Sequence, residues 1–113
     1  MKEFLLIFRS NIKSMPELSP EQMQANTKRW MDWIGGIAAQ NKLSNRGNRL
    51  SNTGRVLKSD NTITDGPYAE IKESIGGFIV IKVGSYDEAV ETARGCPILS
   101  YGGNVEVREI SAL

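Results

Sequence analysis

The side chains of this chain best suited to acid, base and hydrogen-bond chemistry cluster in one stretch, TDGPYAEIKES, which holds Asp65, Tyr68, Glu70, Lys72 and Glu73. A carboxylate serves as a base where burial raises its pKa, so Asp65 is the candidate base or ligand acceptor. The Tyr68 hydroxyl can donate to a ligand. Glu70 and Lys72 can hold a polar substrate or orient Asp65. Each residue also has a plainer reading. Asp-Gly-Pro is a turn: aspartate bonds backbone amides just ahead, glycine allows a positive φ, and proline fixes the next angle. The charges that follow suit a solvated turn, and Tyr68 suits a packed aromatic with a wet tip. Trp30 and Trp33 stand one turn apart and read as core, with Trp30 able to border a ligand pocket.

Other chemistries lack their residues. There is no histidine, the commonest general base and metal ligand. With Cys96 the single cysteine, a zinc site of nitrogen and sulfur ligands cannot be assembled within one chain. Cys96 follows a helix end, whose negative pole disfavours thiolate, so it is not expected to be a nucleophile. No phosphate-binding glycine loop or dinucleotide fingerprint occurs. The expectation is no metal and no cofactor, with carboxylates meeting across two protomers the one open route to a metal.

The bulk properties bound the class. The chain of 113 residues reads as one domain, residues 1–113, with 40% apolar and 24% charged residues. A net charge of +1 argues against nucleic acid or membrane as a partner. One cysteine fits a reducing compartment. The apolar run Phe4 to Phe8 is too short for a signal-peptide core or a membrane span. The expected location is the cytoplasm.

The elements that must carry the candidate residues follow from periodicity. Residues 3–9, EFLLIFR, predict a strand apolar on both faces, with Phe4, Leu6 and Phe8 opposed to Leu5 and Ile7. Ser19, Pro20 and Gln22 open a helix with a capping box. Its buried stripe is Met23, Trp30, Ile34 and Ile37, with Trp33 on the flank. Gly35 and Gly36 weaken that helix, which suggests either close packing of another backbone or an early helix end. Residues 41–65 are rich in turn formers, and GRVLKS and NTITD predict a hairpin turning at Asp60-Asn61. GFIVIKV is a second strand apolar on both faces, and Gly76-Gly77 ahead of it leave room for close backbone approach. Ser85 caps a second helix stopped by Gly95, with Ala89, Val90 and Ala93 facing inward. NVEVREI is the last strand, with Val105 and Val107 opposed to Glu106 and Arg108.

Strand, helix, hairpin strands, strand, helix, strand is the order of an α+β, ferredoxin-like βαββαβ protomer: an antiparallel sheet with both helices on one face. The first and third core strands, central in that fold, are here the two strands apolar on both faces. An open apolar sheet face of several hundred Å² is not left in water. A second copy packed face to face would cover it. The competing arrangement folds residues 41–60 over that face. Lys42, Arg46, Arg49, Arg55 and Lys58 occur with no acidic residue between Asp32 and Asp60. They either attract an anionic ligand or protect an edge strand.

DGPYAEIKESIGGF, SYDEAVETARGCPI and the closing GGNVEVREI, with KRWMDWIGGIAAQNKL and GRVL, resemble the YCII-related family in its DGPF subgroup, over nearly the whole chain. The resemblance implies a ferredoxin-like protomer in a dimeric α/β barrel. Some relatives are thought of as enzymes with a histidine and an aspartate in a cleft, and others sit in or near sigma-factor systems. Lacking histidine, this chain cannot carry over that pair; Asp65 is the matching position that remains. Tyr68 stands where phenylalanine is usual. Two functions stay open: a homodimer binding a small polar or anionic molecule, extending to a cofactor-free enzyme with its cleft near the Asp-Gly-Pro loop, or a non-catalytic regulatory or interaction module.

Overall fold

The computed structural model describes residues 1–11, 17–66 and 74–112. Among the described residues six strands and two helices follow one another: β1 (Lys2–Ser10), α1 (Pro20–Ala39), β2 (Leu43–Arg49), β3 (Arg55–Leu57), β4 (Ile63–Asp65), β5 (Ser74–Val83), α2 (Tyr86–Ala93) and β6 (Asn104–Glu109). A 3₁₀ turn, Pro97–Tyr101, precedes β6. The main sheet is antiparallel in the order β2-β5-β1-β6, which is the ferredoxin-like order. Its two central strands are β1 and β5, those apolar on both faces.

Register decides which side chains are buried together. Leu6 pairs with Ile79 and Val107, and Phe4 with Ile81, so these point to one face. On that face Phe4, Leu6, Ile79, Ile81 and Val83 are fully buried, and Ile37 from α1 and Ala89 and Ala93 from α2 close over them. Fully burying one such large side chain contributes about 1.5–3 kcal/mol. Both helices therefore lie on this face.

The opposite face carries Leu5 and Ile7 against Val80 and Phe78. Glu106 and Arg108 of β6 flank them, paired with Ile7 and Leu5. These four apolar side chains are only half-buried, and none belongs to the core.

The helix starts match their sequence signals. Gln22 N–H donates to the Ser19 hydroxyl at 3.2 Å, and Ser19 N–H to the Gln22 side chain at 2.9 Å. Ser85 caps α2 by accepting from Glu88 N–H.

Several expectations are corrected. Met23 is not part of a buried stripe: it is 57% exposed, because the first turns of α1 stand clear of the sheet. Val90 of α2 is likewise exposed. Gly35 and Gly36 neither end α1 nor meet another backbone; the helix runs on to Ala39, and a Cβ at either position would find open space.

The larger correction concerns the second sheet strand. It is β2, LSNRGNR, from the polar stretch rich in turn formers. β2 holds the edge through an irregular register to β5, shifted between Leu43 and Asn45 and again between Asn45 and Asn48. Gly47 makes the second irregularity feasible, with φ of 64° and a Cβ position only 1.6 Å from the Phe78 carbonyl oxygen.

The predicted hairpin exists, but as a separate ribbon of β3 and β4, joined by Arg55↔Asp65, Val56↔Thr64 and Leu57↔Ile63 pairs. One of its faces is open to solvent: Leu57 and Ile63 are 65% and 67% exposed. The chain is correspondingly spread out. Its radius of gyration is 15.5 Å, against about 13 Å for a domain of this length. It exposes 8048 Å², about 1,850 Å² more than a compact monomer of its mass.

Candidate functional site

Asp65 closes β4, and its position follows from the ribbon register. It sits opposite Arg55, whose Nε lies 3.5 Å from Asp65 Oδ1. Its side chain is 96% exposed. The next residue, Gly66, takes a φ of 75° and donates its N–H to Gly54 O at 2.6 Å. The turn reading of Asp-Gly thus stands at the glycine. Pro67, Tyr68, Glu70, Lys72 and Glu73 lie outside the described residues.

Trp30 belongs to an aromatic cluster beneath α1. Its ring meets Phe8 edge-on at 4.9 Å and Trp33 at 5.9 Å. Trp33 anchors α1 to α2 by donating Nε1–H to Thr92 O at 3.1 Å. Gly95 lets the indole approach: a Cβ there would lie 2.9 Å from Trp33 Cδ1. Trp30 therefore packs as a half-buried aromatic at the margin of the core, and neither Trp30 nor Asp65 lines the two clefts that flank α1.

Two clefts flank α1. The larger, about 430 Å³, runs between α1 and α2 and is lined by Trp33, Asp32, Gln40, Lys42 and Glu91, with Gly36 and Gly95 leaving it open. The smaller, about 200 Å³, lies between the start of α1 and the 3₁₀ turn, with Leu18, Gln22, Ala25, Asn26, Arg29 and Tyr101 as its walls. Asn26 Oδ1 and Tyr101 Oη are both shut off from water there and have no hydrogen-bond partner among the described residues. An unpaired buried polar atom costs about 1–3 kcal/mol, so such atoms mark places where a partner is missing. The Arg29 guanidinium lies 6.0 Å from the Tyr101 ring centre and reaches Ser100 Oγ at 3.3 Å. Sequence reasoning passed over this group, because Asn26 carries no motif and Tyr101 comes from a turn far along the chain.

Three ionisable groups among the described residues have displaced pKa values, and the first is Asp60, whose carboxyl is held below its ordinary value by hydrogen bonds from the Thr62 hydroxyl and N–H. Burial pushes the Cys96 thiol up to about 12, so the expectation of an inert thiol agrees with its buried position. On the open sheet face, hydrogen bonds from Arg9, at 2.8 Å, and Arg108, at 3.2 Å, hold the Glu106 carboxyl below its ordinary value. Arg46 and Arg49 of the basic stretch lie on β2, an edge strand, where charge discourages pairing with a foreign strand. Among the described residues no cluster of acidic, histidine or cysteine side chains could hold a metal, and no helix is long and apolar enough to cross a membrane.

The fold defines the class, an α+β protein with a ferredoxin-like sheet. A scan of family models narrows it: the YCII-related domain matches residues 4–113, and the chain belongs to that family. Among solved structures, the chain is similar to 5-chloro-2-hydroxyhydroquinone dehydrochlorinase (TftG) from Burkholderia phenoliruptrix AC1100, in complex with 2,5-dihydroxybenzoquinone. The two share 18% identity over 97% of this chain and 95% of that one, with a TM-score of 0.48. A search of curated proteins finds no match.

Proposed function

We propose that the protein works as a homodimer, in the manner of a dimeric α/β barrel, that binds a small polar or anionic molecule. The observation that carries this reading is the sheet face opposite the helices. Leu5, Ile7, Phe78 and Val80 form an apolar strip on the two central strands that stays outside the core and only half-buried among the described residues. A second copy packed on it would remove the strip from water and close two sheets around one interior.

The smaller cleft supports the ligand. Arg29 offers a positive charge, and Asn26 Oδ1 and Tyr101 Oη lack partners among the described residues. Neither Trp30 nor Asp65 lines that cleft within one protomer; in this reading they reach the ligand, together with Tyr68, Glu70 and Lys72, only in the assembled dimer, Trp30 bordering the pocket and Asp65 serving as the acceptor or base. If Asp65 acts as a base, the protein is a cofactor-free enzyme. The non-catalytic alternative, a regulatory or interaction module, draws support from the exposure of Asp65 and its pairing with Arg55.

The test is a thermal-shift screen of small hydroxylated and carboxylated compounds, followed by the Asp65→Asn variant with each hit. Binding to the native state raises its melting temperature. The ligand reading expects hits, and a role for Asp65 expects binding or turnover to fall about tenfold or more in a variant that melts normally, about 1.4 kcal/mol. No hit in a broad screen contradicts the ligand reading; equal shifts in both proteins leave Asp65 a turn residue.

A further inference from the structure

The β3–β4 ribbon is short for an element that stands away from the body. Each strand has three residues. A two-stranded hairpin alone in water is marginal at best, and three pairs are at the low end even of hairpins. Its two faces differ. Val56 and Thr64 share the half-buried face. The Arg55–Asp65 ion pair and the Leu57–Ile63 pair share the other, because cross-strand pairs two residues apart point the same way. Leu57 and Ile63 are the two most exposed branched aliphatic side chains among the described residues. A ribbon with an apolar pair directed into solvent is a surface awaiting a partner.

We propose that this ribbon is an arm that docks on a second copy of the chain through its Arg55, Leu57, Ile63 and Asp65 face. The inference rests on the dimer reading above and adds a second point of contact to it. The occupant follows from area and symmetry. The protomer's excess surface of about 1,850 Å² falls within the roughly 1,000–2,500 Å² that each partner contributes to an obligate dimer. The same chain also carries the half-buried apolar strip of Leu5, Ile7, Phe78 and Val80 outside its core. A two-fold axis pairs every surface with its counterpart, so one association satisfies both protomers' arms and both strips. Docked in this way, Asp65 stands at a subunit boundary, where one protomer's arm can supply it to a site on the other.

The test uses the full chain and the Leu57→Lys, Ile63→Lys double variant. Neither residue belongs to the core, so the helical and aromatic circular dichroism should match wild type. Sedimentation equilibrium should show a wild-type dimer, with the variant's dissociation constant raised at least about 100-fold, equivalent to about 2.7 kcal/mol. In wild type, the Lys58 and Gly66 amides, bonded to Thr62 O and Gly54 O, should exchange slowly in the dimer and at least tenfold faster on dilution to monomer. A wild-type dimer whose variant associates equally well overturns the arm. So does amide exchange indifferent to dilution, a readout that stands even if the variant fails to fold. A monomeric wild type overturns the dimer reading itself.

Discussion

Replacing Gly47 by alanine should be among the most damaging one-methyl changes in the molecule. Gly47 lies in β2 with φ of 64°, and its N–H donates to Asn45 Oδ1 at 2.7 Å. The left-handed conformation alone costs an L-residue about 1–2 kcal/mol. The added Cβ would also fall 1.6 Å from Phe78 O and 2.5 Å from Phe78 C. Those are backbone atoms of a central strand, so the overlap is relieved only by moving β2 off β5. That loosens the ladder through Asn45↔Val80 and Asn48↔Phe78. A loss of at least about 3 kcal/mol is expected, given about 1 kcal/mol for each net hydrogen bond weakened. At roughly 4 °C per kcal/mol for a domain of this size, the melting temperature should drop by about 12 °C. Gly36→Ala is the matched control: it sits inside α1 with nothing within 4 Å of the new methyl. It should raise stability by about 0.5–1 kcal/mol. Melting both variants by circular dichroism decides the matter. A Gly47→Ala protein within 3 °C of wild type would refute the reasoning about the β2 edge.

Other outcomes follow from the same structure. Cys96 should resist a thiol reagent at pH 8 in the native protein and react promptly once denaturant is added, because its folded pKa is about 12. The raised value also sets a sign: the thiol's contribution to stability is full below the unfolded pKa near 9, and is lost as pH climbs from there towards 12, by up to about 1.4 kcal/mol per unit. Cys96→Ala should flatten that alkaline decline in a pH series of melts. Glu106 has the opposite sign, since its depressed pKa favours the folded state above the unfolded value and the benefit fades as pH falls through it. Glu106→Gln should therefore melt with a shallower acid limb than wild type.

The parts of the fold legible in the sequence are those set by strong local rules. The two-sided apolar runs FLLIF and FIVIKV identified the central strands, and serine followed by a glutamine or glutamate located both helix starts. β2 escaped because LSNRGNR is polar and glycine-bearing; its pairing with β5 is dictated by the neighbour, through a bulge that no local propensity announces. Met23 was misassigned because helical spacing tells which face a residue shares and not how far the core extends beneath it. Of the proposed site residues, Asp65 and Trp30 could be singled out by type alone, and neither lines a cleft of the protomer. Asn26 and Tyr101 could not, since 75 residues separate them and only the tertiary fold brings both to one cleft.

In the proposed homodimer a second copy covers the sheet face of Leu5, Ile7, Phe78 and Val80. Multi-angle light scattering at micromolar concentration tests it most directly, with Val80→Lys run alongside to charge that face without touching the core beneath the helices. The wild type should scatter as about 25 kDa, twice the 12.5 kDa chain mass, and the folded variant near the mass of a single chain. A wild-type protein that elutes at 12.5 kDa across the micromolar range would contradict it.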